Sequence, residues 1–212
     1  MSHVVVVIGG GELAARAVDA VPRDAVIIAA DSGLDHAVTA GMRPDSLVGD
    51  LDSISAGGRM WAYAHGLDID EHPVEKDATD TELALEAAAA VPDATHLLVL
   101  GGAGDRVDHL LGTLLALGNP RLAHLQRVRA IIGSTQFVVV HAGHRVTLPL
   151  EPDDLFSVLA LHGPADGVTL TGAKWELNDA HLDGTESLGV SNIAKERTVI
   201  DVTTGVVTVV IP

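Results

Sequence analysis

The sequence predicts an α/β N-terminal domain with a mainly parallel sheet covered by helices, followed by an all-β C-terminal sandwich domain. Three observations carry this. Before Ile131, continuous apolar strands alternate with helical segments, the pattern of a parallel sheet buried on both faces. From Ile131 onward, short strands separated by Gly, Pro and Asp turns follow one another, and no long helical pattern survives. With 212 residues, 47% hydrophobic and 20% charged, the chain can bury a substantial core; at 2% aromatic content, that core must be built from Val, Leu, Ile and Ala.

Taken in order, "HVVVVIGGG" reads as a buried strand ending in a glycine turn, and "ELAARAVDAV" as a helix. "AVIIAADSG" is a second buried strand, and "LDHAVTAG" a short helix closed by Gly41. "DSLVGDLDS" carries a third strand that runs into an acidic loop. "RMWAYAHG" is helical, "LDIDEHPVE" a short alternating segment, and "DTELALEAAAAV" an alanine-rich helix. "THLLVLGGAGD" is another buried strand and "VDHLLGTLLALG" another helix. "FVVVHAG", "HRVTLPL", "LFSVLALHG", "GVTLTG", "TVIDVTTG" and "VVTVVIP" then read as the strands of the second domain. The boundary falls around Gly133, giving domains 1–132 and 133–212.

Charge narrows the function. Against 13 Lys and Arg stand 29 Asp and Glu, a formal net charge of −16. Such a surface repels nucleic acid and anionic lipid, so neither is an expected partner. An anionic substrate needs a local cation, and a divalent metal is the obvious one. The absence of cysteine excludes disulfides and thiolate zinc sites. The N-terminal apolar run lacks a charged n-region and is too short to span a bilayer, and the other apolar stretches are strand-sized. The expectation is a soluble cytoplasmic protein.

The acidic motifs carry the chemistry. "GDLDSI" puts Asp50 and Asp52 two residues apart at the end of a predicted strand; in an extended segment both point the same way. "EKDATDTE" places Lys76, Asp77, Thr79 and Asp80 at the opening of a helix, and "GGAGDRVDH" places Gly102, Asp105, Arg106 and Asp108 after another strand. Asp31 ends a strand in the same manner. Four loops at one sheet edge thus present carboxylates, where open α/β sheets bind ligands. Clustered carboxylates repel one another unless a cation sits among them, and Mg²⁺ commonly bridges carboxylates and substrate phosphates.

Each motif also has a plainer reading. Thr79 or Asp80 serves equally as a helix cap, Asp105 as a turn residue, and Arg106 as a local partner of Asp105 or Asp108 rather than a phosphate ligand beside the glycine turn. Trp175, in "LTGAKWELND", is either a plug for the sandwich core or a stacking wall for a cationic or heteroaromatic ring. "SLGVSN" supplies Ser187, Ser191 and Asn192 as hydrogen-bonding groups. Gly9, Gly11 and Ala14 fit a G-x-G-x-x-A dinucleotide fingerprint, which also arises wherever a tight strand-to-helix turn is needed.

Six of these motifs in this order resemble the thiamin pyrophosphokinase family: "ADSG", "RPDSLVGDLDSI", "EKDATDTELAL", "GGAGDRVDH", "TGAKWEL" and "SLGVSN". The resemblance covers nearly the whole chain. It implies an ATP- and Mg²⁺-binding catalytic domain over 1–132, a thiamin-binding and dimerisation sandwich over 133–212, and a homodimer that binds thiamin across its interface. The implied reaction transfers pyrophosphate from ATP to the thiamin hydroxyl and releases AMP. On the same basis Asp50, Asp52 and Asp80 hold Mg²⁺, and Asp31 and Asp108 support that site. Arg106 contacts the phosphates, with Lys76, Asp77, Thr79 and Gly102 around them, and Trp175, Ser191 and Asn192 lie near the thiamin rings. Ser32, Thr113 and Ile193 depart from the family pattern. The rival readings are a dinucleotide-binding oxidoreductase, which leaves the acidic loops unexplained, and a non-catalytic nucleotide- or thiamin-binding protein, against which the intact acidic set argues.

Overall fold

A computed structural model describes residues 2–102 and 104–212. The chain divides into two compact units. The first runs through Ala116 and takes in Ala130–Ser134; the second comprises Leu117–Arg129 and Thr135–Pro212.

The first unit alternates strand and helix: β1 (Ser2–Val7), α1 (Ala15–Asp19), β2 (Val26–Ala30), α2 (Gly33–Thr39), β3 (Ser46–Gly49), α3 (Ala56–Ala64), β4 (Asp68–Glu71), α4 (Asp80–Ala90), β5 (Ala94–Gly101) and α5 (Val107–Ala116). The strands lie in the order β5-β1-β2-β3-β4, every pair parallel. Val4 to Val7 of the central strand are each at most 1% exposed, which is why β1 is a run of valines instead of an alternating pattern. Each such side chain contributes roughly 1.5–3 kcal/mol by burial. The edge strand β4 has the opposite composition, "DIDE", with charged residues at three of four positions to discourage further pairing.

The helices are few and short, from 5 to 11 residues. Helix α1 is much shorter than "ELAARAVDAV" predicts: Gly10 and Gly11 hold positive φ, and the chain enters a helix only at Ala15. Two helices begin on side-chain caps. Ser55 Oγ accepts from Gly58 N at 2.9 Å ahead of α3. Ahead of α4, Thr79 Oγ1 accepts from Glu82 N at 3.2 Å while Glu82 Oε2 accepts from Thr79 N at 2.9 Å, a reciprocal capping box.

The second unit is all β. After β6 (Arg127–Ile132), whose residues are shared between the two units, come β7 (Thr135–His141), β8 (Arg145–Thr147), β9 (Leu155–Leu159), β10 (Ala165–Ala173), β11 (Leu177–Leu182), β12 (Asn192–Asp201) and β13 (Val206–Ile211). Strands β11-β10-β12-β9-β13-β7 pair antiparallel in that order, and β8 pairs with the far end of β12. They bury one cluster of aliphatic side chains around Phe156, including Val138, Val158, Leu170, Ile200 and Val209. Strand β11 was not anticipated. It reads "LNDAHL", and of its residues only Leu182 is buried, so it carries no apolar alternation.

Candidate active site

Because the strands are parallel, their C-terminal ends meet at one edge, and the acids that follow them meet there too. Asp31 follows β2 and donates its backbone N–H to Val48 O of β3 at 2.9 Å, which pins it beside the start of the Asp50 loop. Asp50 and Asp52 do not converge along an extended strand as their spacing suggests. Leu51 between them has φ 63°, in the left-handed region, so the chain turns back there. Asp52 N then donates to Asp50 Oδ1 at 3.2 Å. A left-handed leucine is strained by roughly 1–3 kcal/mol; burial of its side chain to 6% exposure among Leu34, Leu47 and Ile54 offsets this.

The result is a group of three carboxylates, Asp31, Asp50 and Asp52, whose ligand oxygens lie within 4.8 Å of one another. Asp31 Oδ2 accepts from Ser53 Oγ, but its Oδ1 is buried without a hydrogen-bond partner among the described residues. The Asp50 charge, followed by desolvation and the Asp31 charge, pushes the Asp52 carboxyl above its ordinary value. Mutual repulsion and a buried, unpartnered carboxylate oxygen are both relieved by a hard dication, so this donor set fits Mg²⁺.

Asp80, predicted as the third ligand, stands beside Lys76 instead of within that group. Lys76 Nζ lies 2.6 Å from Asp50 Oδ2 and 3.1 Å from Asp80 Oδ1. Lys76 thus bridges two carboxylates, with the shorter contact to Asp50. Hydrogen bonding from Lys76 holds the Asp50 carboxyl below its ordinary value, and the same bond raises Lys76. Gly49 makes this packing possible. A Cβ at that position would sit 2.9 Å from Asp80 Oδ1 and 3.2 Å from Asp31 Cβ, on a backbone at φ 144°. Thr79 spends its hydroxyl on the α4 capping box, and Asp77 is exposed in the same loop.

Further residues hold the acidic loop from behind. Ser55 donates to Asp35 of α2 through both N (2.8 Å) and Oγ (2.6 Å), and Arg59 of α3 donates from Nη2 to the Leu51 carbonyl. The sequence reading missed Asp35, Ser55 and Arg59. Only Ser55, as a helix cap before "AGG", left a local signal.

The glycine loops let main chain approach main chain. A Cβ on Gly102 would lie 2.5 Å from the Gly11 backbone, and one on Gly104 2.9 Å from the Gly10 carbonyl, so main chain packs against main chain at these glycines. The Gly9 turn thus takes its plainer reading, and a five-residue α1 gives a dinucleotide little to dock on. Ala103 lies outside the described residues. Arg106 forms a fork with Asp108, Nε to Oδ1 at 2.9 Å and Nη2 to Oδ2 at 2.6 Å, and that guanidinium holds Asp108 well below the usual carboxylate range.

In the second unit Trp175 is 53% exposed and does not plug the core. Lys174 Nζ stands 4.3 Å from its ring centroid. Asn192, 5% exposed, accepts from Trp175 N (3.1 Å) and Ile193 N (2.8 Å) and donates to Trp175 O (2.7 Å). Its amide is thereby spent on fixing the Trp175 backbone. Ser191 adopts φ 62° and donates its N–H to Ser157 Oγ at 3.1 Å.

The chain is similar to known proteins over most of its length. A thiamine pyrophosphokinase of Bacillus subtilis is 28% identical over 166 residues, 78% of this chain and 76% of that one. A thiamine pyrophosphokinase 1 of rice is 25% identical over 167 residues, 74% of this chain but 61% of that one. The crystal structure of the B. subtilis enzyme superposes with a TM-score of 0.81 at 22% identity, covering 99% of this chain and 98% of that one. That of the Candida albicans thiamin pyrophosphokinase gives 0.77 at 14% identity, covering 99% and 89%. Likeness at such identities concerns the fold. The model of the thiamin pyrophosphokinase catalytic domain matches residues 19–129, which hold the acidic cluster, and that of the vitamin B1 binding domain matches residues 143–207, which hold Trp175. With both parts matched in order over most of its length, the chain belongs to the thiamin pyrophosphokinase family.

Proposed function

We propose that the protein transfers the β,γ-pyrophosphoryl group of ATP to the hydroxyl of thiamin, giving thiamin diphosphate and AMP. The observation that carries this reading is the convergence of Asp31, Asp50 and Asp52 at one sheet edge, in a chain whose two parts match the two domains of one family. The hydroxyl oxygen attacks the β-phosphorus, a new O–P bond forms, the bond to the α,β-bridging oxygen breaks, and AMP leaves. The work asked of the protein is in-line positioning and charge neutralisation. A magnesium ion would be held by Asp50 and Asp52 with Asp31, and with Asp80 on the family pattern, and it would supply neutralisation of phosphate charge. Asp80 or Asp108 takes the hydroxyl proton. Arg106, exposed and paired only locally, exchanges Asp108 for phosphate oxygens, and the Lys76, Asp77, Thr79 and Gly102 loops surround the nucleotide.

In the same reading residues 1–132 form the catalytic domain. Its short helices cover the sheet, as the buried Ala84, Leu85 and Ala88 of α4 support. Residues 133–212 bind thiamin and dimerise, with the exposed Trp175 stacking on the cationic ring and Ser191 and Asn192 shaping its surroundings. Exposed Leu155, Leu188 and Val190 support burial of this domain against a second copy. In this reading the protein acts in the cytoplasm. No helix among the described residues is long and apolar enough to cross a membrane.

Incubation with ATP, MgCl₂ and thiamin, followed by ion-exchange chromatography, tests the reading. Equal amounts of AMP and thiamin diphosphate are expected. ADP with thiamin monophosphate, or no thiamin ester at all, would refute it.

A further inference from the structure

Lys76 is one of only three lysines in a chain of net charge −16, and it lies inside the acidic edge rather than on the surface. Its side chain is 14% exposed and bridges Asp50, 9% exposed, and Asp80, 22% exposed. Asp50 is therefore shared. Its Oδ2 meets the Lys76 ammonium, while the residue also belongs to the three-carboxylate group with Asp31 and Asp52. A monocation thus already neutralises one half of the cluster, on the Asp50–Asp80 side, and leaves the buried Asp31 Oδ1 on the other without a hydrogen-bond partner among the described residues.

We propose that Lys76 is a positioning residue that competes with the divalent metal for Asp50. It keeps Asp50 and Asp80 together in the metal-free protein and yields Asp50 when a metal binds, its ammonium then being free to pair with phosphate oxygens of the nucleotide. This rests on the reading of the acidic edge as a metal site. Two like-signed cations on one carboxylate repel across a partly buried space, so the lysine lowers the protein's affinity for free metal. Its replacement by a neutral residue leaves Asp50 and Asp80 unpaired, a cost that bound metal relieves.

The test uses the full chain and Mn²⁺ alone, with binding read by the loss of free Mn²⁺ signal in electron paramagnetic resonance. Lys76→Gln is expected to bind Mn²⁺ about ten-fold more tightly than wild type. Its melting temperature is also expected to rise more on Mn²⁺ addition. Lys76→Arg, which keeps the charge, should bind like wild type. A second measurement needs no variant. Nitrogen-edited NMR of the three lysine ammonium groups should show one slowly exchanging resonance in the metal-free protein, shifting on Mg²⁺ addition. Wild-type Mn²⁺ binding that Lys76→Gln leaves unchanged or weakens would overturn the competition while leaving the metal site standing, as would an ammonium spectrum unmoved by a metal that binds. No Mn²⁺ binding by wild type or by either variant, with or without ATP, would overturn the metal site itself and the inference with it.

Discussion

Leu51 concentrates the design of the site in one residue: a left-handed backbone turns Asp50 and Asp52 toward one another, and a buried side chain anchors the turn. The two acids then differ in their surroundings, since Lys76 neutralises Asp50 whereas Asp52 faces carboxylates. Asp52→Asn removes a charge without removing a packed group. It should lower turnover by roughly two or more orders of magnitude, because metal organisation acts mainly in the transition state. Its thermal melt should match that of wild type. Steady-state kinetics and a circular dichroism melt check both halves, and near-normal turnover in the folded variant would contradict the assignment. In the second unit the exposed ring of Trp175 is the counterpart residue. Stacking of a cationic ring is worth about 0.5–2 kcal/mol, so Trp175→Ala should raise the thiamin KM by roughly two- to thirty-fold. The KM for ATP should stay as it is; equal changes in both would point to a folding defect instead.

At the scale of elements, strand ends carry most of what the sequence disclosed. Runs such as "HVVVVI" and "HLLVL" mark fully buried strands, and in a parallel sheet the residue after each strand must lie at the same edge, so Asp31 and Asp50 were legible as neighbours. Features that depend on tertiary partners were not. Nothing local in "GRMWA" announces that Arg59 reaches the Leu51 carbonyl, or that Asp35, in another helix, orders Ser55. The polar edge strand β11 escaped because strands that bury almost nothing carry no period. The segment after α5 is a further case. His141 Nε2 donates to Leu117 O at 3.1 Å, His144 Nε2 lies 2.8 Å from Ala123 O, and His162 Nε2 lies 3.0 Å from Thr208 Oγ1. Burial pushes His141 and His162 below their ordinary value of 6.5, and for His141 the neighbouring His162 and His144 act in the same direction. A histidine whose folded pKa is depressed contributes stability above its unfolded pKa and loses it as pH falls toward the folded one. The melting temperature should therefore fall as pH drops below about 6.5, by roughly 2–4 °C per kcal/mol lost. A His141→Gln variant should show a shallower fall in melts recorded between neutral and mildly acid pH, and an identical slope in the two proteins would rule the cluster out as the cause.

For the whole molecule, the motifs fall in different units: the carboxylates and Lys76 lie in the first, and the exposed tryptophan with its Asn192 clip lies in the second. An acidic chain that handles a polyphosphate needs a cation at the point of reaction, and Asp31, Asp50 and Asp52 bring ligand oxygens within 4.8 Å of one another at the acidic edge. The account stands on the group that is transferred. The most direct measurement follows label from ATP carrying it in the α or the γ phosphate, with thiamin present, in Mg²⁺ and in excess chelator. In Mg²⁺ the γ label should appear in thiamin diphosphate and the α label in AMP alone, and chelator should abolish both. The γ label in thiamin monophosphate with the α label in ADP, or transfer undiminished by chelator, would contradict it.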